Sequence, residues 1–196
     1  MGDNGAGKTT LLRCLAGITL PDAGELFWNG ESSKRNPRAR RFLGMVAHDS
    51  QLYSNLTLLE NLHFAARMHA TARPRQQALD WLEQIGLLSY AECLPCQISH
   101  GMRRRVSVAR GLIHKPHIVL LDEPFSGLDA GGQKWLAELL ANLQQEKQSV
   151  CFTTHEPMHA QLCADQVLSL QNGRLQETLT AQNPTIRRFL SHQQAA

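Results

Sequence analysis

Gly2-Asp3-Asn4-Gly5-Ala6-Gly7-Lys8-Thr9 is the stretch of this 196-residue chain whose residue types and spacing carry the most specific chemistry. Glycines in the order GxxxxGK[ST] let backbone N–H groups turn inward around an anion. The lysine behind them reaches the β and γ phosphates, and the threonine hydroxyl is placed to ligate Mg²⁺. The candidate contacts to a nucleoside triphosphate are therefore Gly2, Asn4, Gly5, Gly7, Lys8, Thr9 and Thr10. A second pattern supplies acids: Ile118-Val119-Leu120-Leu121 is an apolar strand that runs into Asp122 and Glu123. Asp122 is placed to hold Mg²⁺ together with Thr9. Glu123, at the strand tip, is placed to orient or deprotonate an attacking water, a role typically worth about 10²- to 10⁴-fold in rate.

Three further segments stand at fixed distances from these. Ser99-His100-Gly101-Met102 opens a helix, Ser126-Gly127-Leu128-Asp129 follows the acid pair, and Thr153-Thr154-His155 ends the next strand. Ser99 and the backbone of Gly101 at a helix N-terminus make an anion site of their own.

The elements that must position these residues follow from periodicity. Thr9 to Ala16 is apolar at helical spacing and stops at Gly17, so phosphates would sit on the positive end of a short helix. Pro21 to Gly24 is a turn. Glu25 to Trp28 reads as a strand, and Glu31 to Arg41 as a polar connection whose basic residues, Lys34, Arg35, Arg38, Arg40 and Arg41, form a solvated loop. Phe42 to Ala47 is a second strand. Thr57 with Glu60 makes a capping box for a helix through Leu58, Leu62, Ala65 and Met68, and another helix runs from Pro74 to Gly86. Ser99 caps a helix to about Ile113, His117 to Leu121 is a strand, Gln133 to Leu143 an amphipathic helix and Ser149 to Thr153 a strand. Gln166 to Leu170 and Arg174 to Glu177 close as a hairpin around Asn172-Gly173, and a last helix spans Pro184 to Ser191. The pattern is an α/β core with a helical insertion.

Composition adds bounds. Hydrophobic content of 42%, charged content of 19% and a net charge of +3 describe an ordinary globular chain, too weakly basic to argue for nucleic acid. No apolar run approaches the length of a membrane-spanning helix. Five cysteines, an odd number, argue for reduced thiols. The isolated Cys93 and Cys96 pair reads as two loop thiols, since no second pair or metal-spaced histidine accompanies it. The phosphate loop begins at the second residue, and such a loop normally follows a buried strand, so the expectation is a truncated or misassigned start.

Taken together, the phosphate loop, the acid pair and the three further segments resemble the nucleotide-binding domain of ATP-binding cassette (ABC) proteins, from Gly2 to about Glu177. The resemblance implies a P-loop NTPase with a RecA-like, mostly parallel sheet and an inserted helical subdomain. Residues 1–196 then form one domain, 57–113 being the helical signature subdomain and 1–56 with 114–196 the α/β core. The N-terminal antiparallel strands of the family are largely missing, and with them the aromatic that stacks on adenine.

It also implies an ATPase using ATP and Mg²⁺. Two such domains face each other head to tail, a homodimer here, and each ATP lies between the phosphate loop of one and the signature helix of the other. His155 is then the switch histidine at the γ-phosphate, and Asp129 the residue that speaks across the interface. A separate integral membrane permease is the partner, no nucleic acid is expected, and the location is peripheral on the cytoplasmic face of the inner membrane. A soluble ABC-type ATPase acting on nucleic acid or the ribosome, and a truncated product that only binds nucleotide, are the alternatives. His48 stands where the family has its metal-contacting and coupling glutamine. An imidazole is a poor Mg²⁺ ligand, so His48 would act through water or on the permease. In the signature, His100 replaces a glycine and Met102 a glutamine. Ala47-His48 and the Leu11 to Gly24 stretch look most like the ATP-binding subunit of the haem exporter of cytochrome c maturation.

Overall fold

Three short, mostly apolar segments of the chain, each of four residues and too short for a helix, make the central sheet. The computed structural model describes residues 1–28, 30–32 and 37–180. β3 (Leu43–Val46), β4 (Ile118–Leu121) and β5 (Ser149–Phe152) run parallel in the order β3-β4-β5, with Val46 opposite Leu121 and Leu121 opposite Phe152. Parallel strands must be covered on both faces. Here the alternation of β4 divides the cover. Leu120 packs with Leu12 of α1 (Lys8–Leu15) and with Ala16, the C-cap of that helix, while Val119 and Leu121 pack with Val108 and Leu112 of α4 (His100–Leu112) and Leu136, Leu139, Leu140 and Leu143 of α5 (Ala130–Gln145).

All three strands end on one edge. The Asp122 N–H donates to Val46 O at 2.8 Å and the Thr153 N–H to Leu121 O at 2.9 Å. The residues that follow the strands, Ala47-His48, Asp122-Glu123 and Thr153-Thr154-His155, therefore gather at the carboxyl ends of a parallel sheet, the usual place for a ligand in α/β folds.

A second hydrophobic cluster lies beside the first. α2 (Leu58–Met68), α3 (Pro74–Gln84) and α4 bury Leu58, Leu62, Ala66, Ala78, Leu82, Val106 and Ala109 against one another. The Thr57–Glu60 capping box forms as the sequence predicts: the Glu60 N–H donates to Thr57 Oγ1 at 3.2 Å and the Thr57 N–H to Glu60 Oε2 at 2.8 Å. α4 belongs to both clusters, so it joins the helical part to the sheet.

Smaller elements differ from the sequence reading. Glu31-Ser32, expected in a loop, forms β2 (Glu31–Ser32), antiparallel to β1 (Phe27–Trp28). Phe42 ends a 3-10 turn (Pro37–Phe42) rather than starting β3, and its ring stacks on His117 at 5.2 Å. α5 starts at Ala130, three residues before the expected Gln133, because the Asp129 carboxylate accepts from the Gly132 N–H at 2.7 Å and caps it. A seven-residue helix, α6 (Pro157–Cys163), was not anticipated. The closing hairpin is present as β6 (Gln166–Gln171) and β7 (Arg174–Thr180), and its β6 edge pairs with Met1, whose carbonyl accepts from the Leu170 N–H at 2.8 Å. A groove of about 550 Å³ lined by Val150, Phe152, Val167 and Leu170 separates β5 from β6. The expected helix at Pro184 to Ser191, and Lys34 and Arg35 of the basic run, lie outside the described residues.

Candidate nucleotide and phosphate-transfer site

The glycine spacing produces a loop that wraps back on itself. Gly5 (φ 82°) and Gly7 (φ 99°) lie in the left-handed region, and Gly7 is the N-cap of α1, so the loop delivers its backbone onto the helix N-terminus. Gly2 is required for another reason: a Cβ there would stand 2.2 Å from Leu170 O. Lys8 is buried. Its Nζ donates to Gly2 O at 2.7 Å and to Asp3 O at 3.0 Å, and lies 3.5 Å from Glu123 Oε1. The loop lysine is thus folded over its own loop, and its charge meets the acid at the tip of β4.

The two acids have separate partners. Asp122, 1% exposed, accepts from Thr9 Oγ1 at 2.8 Å on one oxygen and from Thr153 Oγ1 at 2.7 Å on the other. Thr153 Oγ1 in turn accepts from the Glu123 N–H at 2.9 Å. Glu123 adopts φ 45°, in the left-handed region that a glutamate rarely occupies. Its Oε2 stands 3.1 Å from His155 Nδ1, and its Oε1 is buried with no hydrogen-bond partner among the described residues. His155 is half-exposed, whereas the neighbouring His159 is buried, stacked on Phe125 at 4.2 Å; burial pushes its pKa down, with Glu156 pulling it back up.

Asn4, Gly5, Gly7, Lys8, Thr9, Thr10, His48, Glu123 and His155 line one cleft of about 370 Å³ together with Ser126. Gly2 and Asp122 stand behind this wall, the first as an acceptor for Lys8 and the second as an acceptor for Thr9. Hard oxygens suit Mg²⁺, and the Thr9 hydroxyl with the Asp122 carboxylate forms a donor pair of the right chemistry and spacing.

Ser99, Gly101 and Asp129 are not brought to this cleft within the single chain. Ser99 Oγ accepts from the Met102 N–H at 3.2 Å and caps α4, and Asp129 caps α5. The irregular His100 has a local explanation: its ring occupies the space a side chain at Gly127 would take, a Cβ there meeting His100 Nδ1 at 2.4 Å. Two contributors escaped the sequence reading. Ser126 reaches the cleft through the turn after Glu123, which its place in the Ser126-Gly127-Leu128-Asp129 segment signalled. The bridging hydroxyl of Thr153 depends on the register of β5 against β4, which no local pattern encodes.

The family profile described as ABC transporter matches residues 1–126. The sulfate/thiosulfate import ATP-binding protein CysA of Gloeobacter violaceus is 35% identical over 180 residues, covering 90% of this chain and 52% of that protein. Its counterpart in Bradyrhizobium diazoefficiens is 36% identical over 184 residues, covering 90% and 54%. The chain spans about half the length of the curated relatives it matches. Among solved structures, MJ0796, described as a bacterial ABC transporter cassette in dimeric form, superposes with a TM-score of 0.87 at 26% identity, over 93% of this chain and 84% of that one. A dimeric post-hydrolysis state of the same cassette bound to ADP and Pi gives 0.86 over the same shares.

Proposed function

The chain belongs to the ABC transporter family, and from that premise we propose that it is an ATP-binding and ATP-hydrolysing subunit that works as a dimer on a separate membrane permease. The carrying observation is one cleft of about 370 Å³ in which the phosphate loop, Lys8, Thr9, Glu123 and His155 converge, with Asp122 bonded to Thr9 directly behind. ATP binding begins with the loop N–H groups and α1 receiving the β-phosphate, while Lys8 exchanges its contacts with Gly2 O and Asp3 O for phosphate oxygens. Thr9 and Asp122 would hold Mg²⁺, which neutralises developing charge on the phosphates. Glu123, released from Lys8, accepts the proton of the attacking water, and His155 holds the carboxylate and the γ-phosphate in register.

The second copy completes the site. Ser99 and Gly101 at the N-terminus of α4 would meet the γ-phosphate of the opposite subunit, and Asp129 would contact the opposite phosphate loop. Support comes from the solved structures of MJ0796, which are described as dimeric, and from the fact that these residues do not line the cleft of their own chain. In this reading 57–113 is the helical unit that carries α4, and 1–56 with 114–196 is the catalytic core. Among the described residues no helix is long and apolar enough to cross a membrane; peripheral attachment at the cytoplasmic face, through a permease at the His48 to Leu56 loop, fits that.

For the cargo, Ala47-His48 and the Leu11 to Gly24 stretch favour haem export, and the curated relatives, named for sulfate/thiosulfate import, lend that reading no support. Glu123→Gln tests the core proposal. With ATP and Mg²⁺ it elutes as a dimer and turns over about 10²- to 10⁴-fold more slowly; a monomeric, fully active variant refutes it.

A further inference from the structure

We propose that Arg104 is a positioning residue for the hydrolytic step: it fixes the backbone that presents Glu123 and ties it to the loop carrying His48. The inference rests on Glu123 acting as the water-activating group, as argued above.

Arg104 lies one turn into α4 and is 2% exposed. Its guanidinium makes five hydrogen bonds, all to backbone carbonyls. Two go to the loop after β3, from one terminal nitrogen to Ala47 O at 2.6 Å and to His48 O at 2.9 Å. Three go to the tip of β4: the other terminal nitrogen donates to Asp122 O at 2.6 Å and Glu123 O at 2.9 Å, and Nε to Pro124 O at 3.3 Å. A planar fork with five donors is the one side chain able to satisfy that many carbonyls from a single point.

Two features make this more than core filling. First, Glu123 is held at φ 45°, a conformation that persists only where its surroundings over-determine it. The clamp consists of Arg104 on the carbonyls of residues 122 to 124 and Thr153 on the Glu123 N–H. Second, Arg104 begins a row on α4. Ser107 Oγ donates to Ser50 O at 2.9 Å, and Arg110 donates to Gln51 O and, at 3.3 Å, to Ser50 O. Spaced three apart, these side chains lie along one face of the helix and stitch it to the loop from Ala47 to Gln51. That loop therefore travels with α4, and Arg104 alone in the row also reaches the acid pair. A displacement of α4 or of the His48 loop is passed to Glu123 through one guanidinium. Among the described residues no carboxylate is hydrogen-bonded to its buried charge; burial pulls its pKa down, and Asp122, Glu123 and Asp49 pull it back up.

Arg104→Lys keeps the charge but supplies donors from one small head, and Arg104→Gln keeps hydrogen bonding without charge. Both are compared with the parent chain by melting temperature, MgATP affinity, kcat and amide exchange without nucleotide. The expected pattern is a folded variant with affinity within about twofold, kcat down about tenfold or more, and faster exchange at residues 47–51 and 122–126 together, because small misplacement of a catalytic group costs rate rather than binding. A folded variant with parental kcat overturns the proposal. So does loss of affinity and kcat in parallel, or failure of both variants to fold, since either makes Arg104 a support of the fold. If the parent chain itself does not hydrolyse ATP, the functional reading fails separately, and Arg104 is judged by exchange alone, where unchanged protection at both segments refutes the link.

Discussion

The hydroxyl of Thr153 serves both acids, donating to Asp122 and accepting from the Glu123 N–H. Thr153→Val keeps the shape and removes both bonds, leaving two buried polar groups unpaired. The expected loss is about 1–3 kcal/mol of stability, read by urea unfolding, with a fall in kcat because the Glu123 N–H loses its restraint. Lys8→Ala acts earlier, on binding: affinity for MgATP drops, and equal affinity counts against the loop assignment. At this scale the sequence was highly legible wherever chemistry dictates residue type and spacing together, as in the loop and the acid pair. Arg104 was invisible, because an arginine in a run of three, Arg103-Arg104-Arg105, reads as a solvated helix face until tertiary packing shows which one turns inward.

α4 is the element on which the arrangement turns, since it packs into both hydrophobic clusters and begins with the signature residues. Its approach to β3 depends on two glycines: a Cβ at Gly44 would stand 2.4 Å from Gly111 O, and one at Gly111 would stand 2.7 Å from Val46 Cγ2. Gly44→Ala forces α4 away from β3, with an expected cost of about 1–3 kcal/mol in denaturant unfolding. It also loosens the loop after β3, which the same separation unstitches. Helices with strong signals were readable here: the Thr57 box and the Ser99 cap each fixed a start. β2 and the 3-10 turn were not, because two-residue pairings and short turns depend on contacts with distant segments. α6, only seven residues long, carried one usable sign, a proline at its first position.

At the scale of the whole molecule, a pair of stacked imidazoles sets a limit on acid tolerance. His69 and His114 lie face to face with ring centres 3.6 Å apart, the second bonded through Nε2 to Leu43 O at 3.0 Å while its Nδ1 is buried without a partner among the described residues. Burial, then His69, push the His114 pKa down to about 4, with the Leu43 carbonyl opposing; burial also lowers that of His69. The unfolded chain binds protons near the ordinary histidine value of about 6.5, whereas the folded chain refuses them. The pair's contribution to stability is therefore complete above about pH 6.5 and is lost as pH falls toward about 4. Replacing His114 by Gln flattens that slope in unfolding measured across the window; an unchanged slope removes the pair as its cause.

Trp28 gives the molecule an optical reporter that needs no label. The indole is 6% exposed, donates to Leu15 O at 2.9 Å and presses on Gly17, so it sits at the C-terminal end of the helix whose N-terminal end receives the phosphate loop. If a triphosphate seats as proposed and tilts α1, the Trp28 emission is expected to change. A spectral change on adding ATP that vanishes in Trp28→Phe, while the signals of Trp81 and Trp135 persist, would let binding be followed in real time.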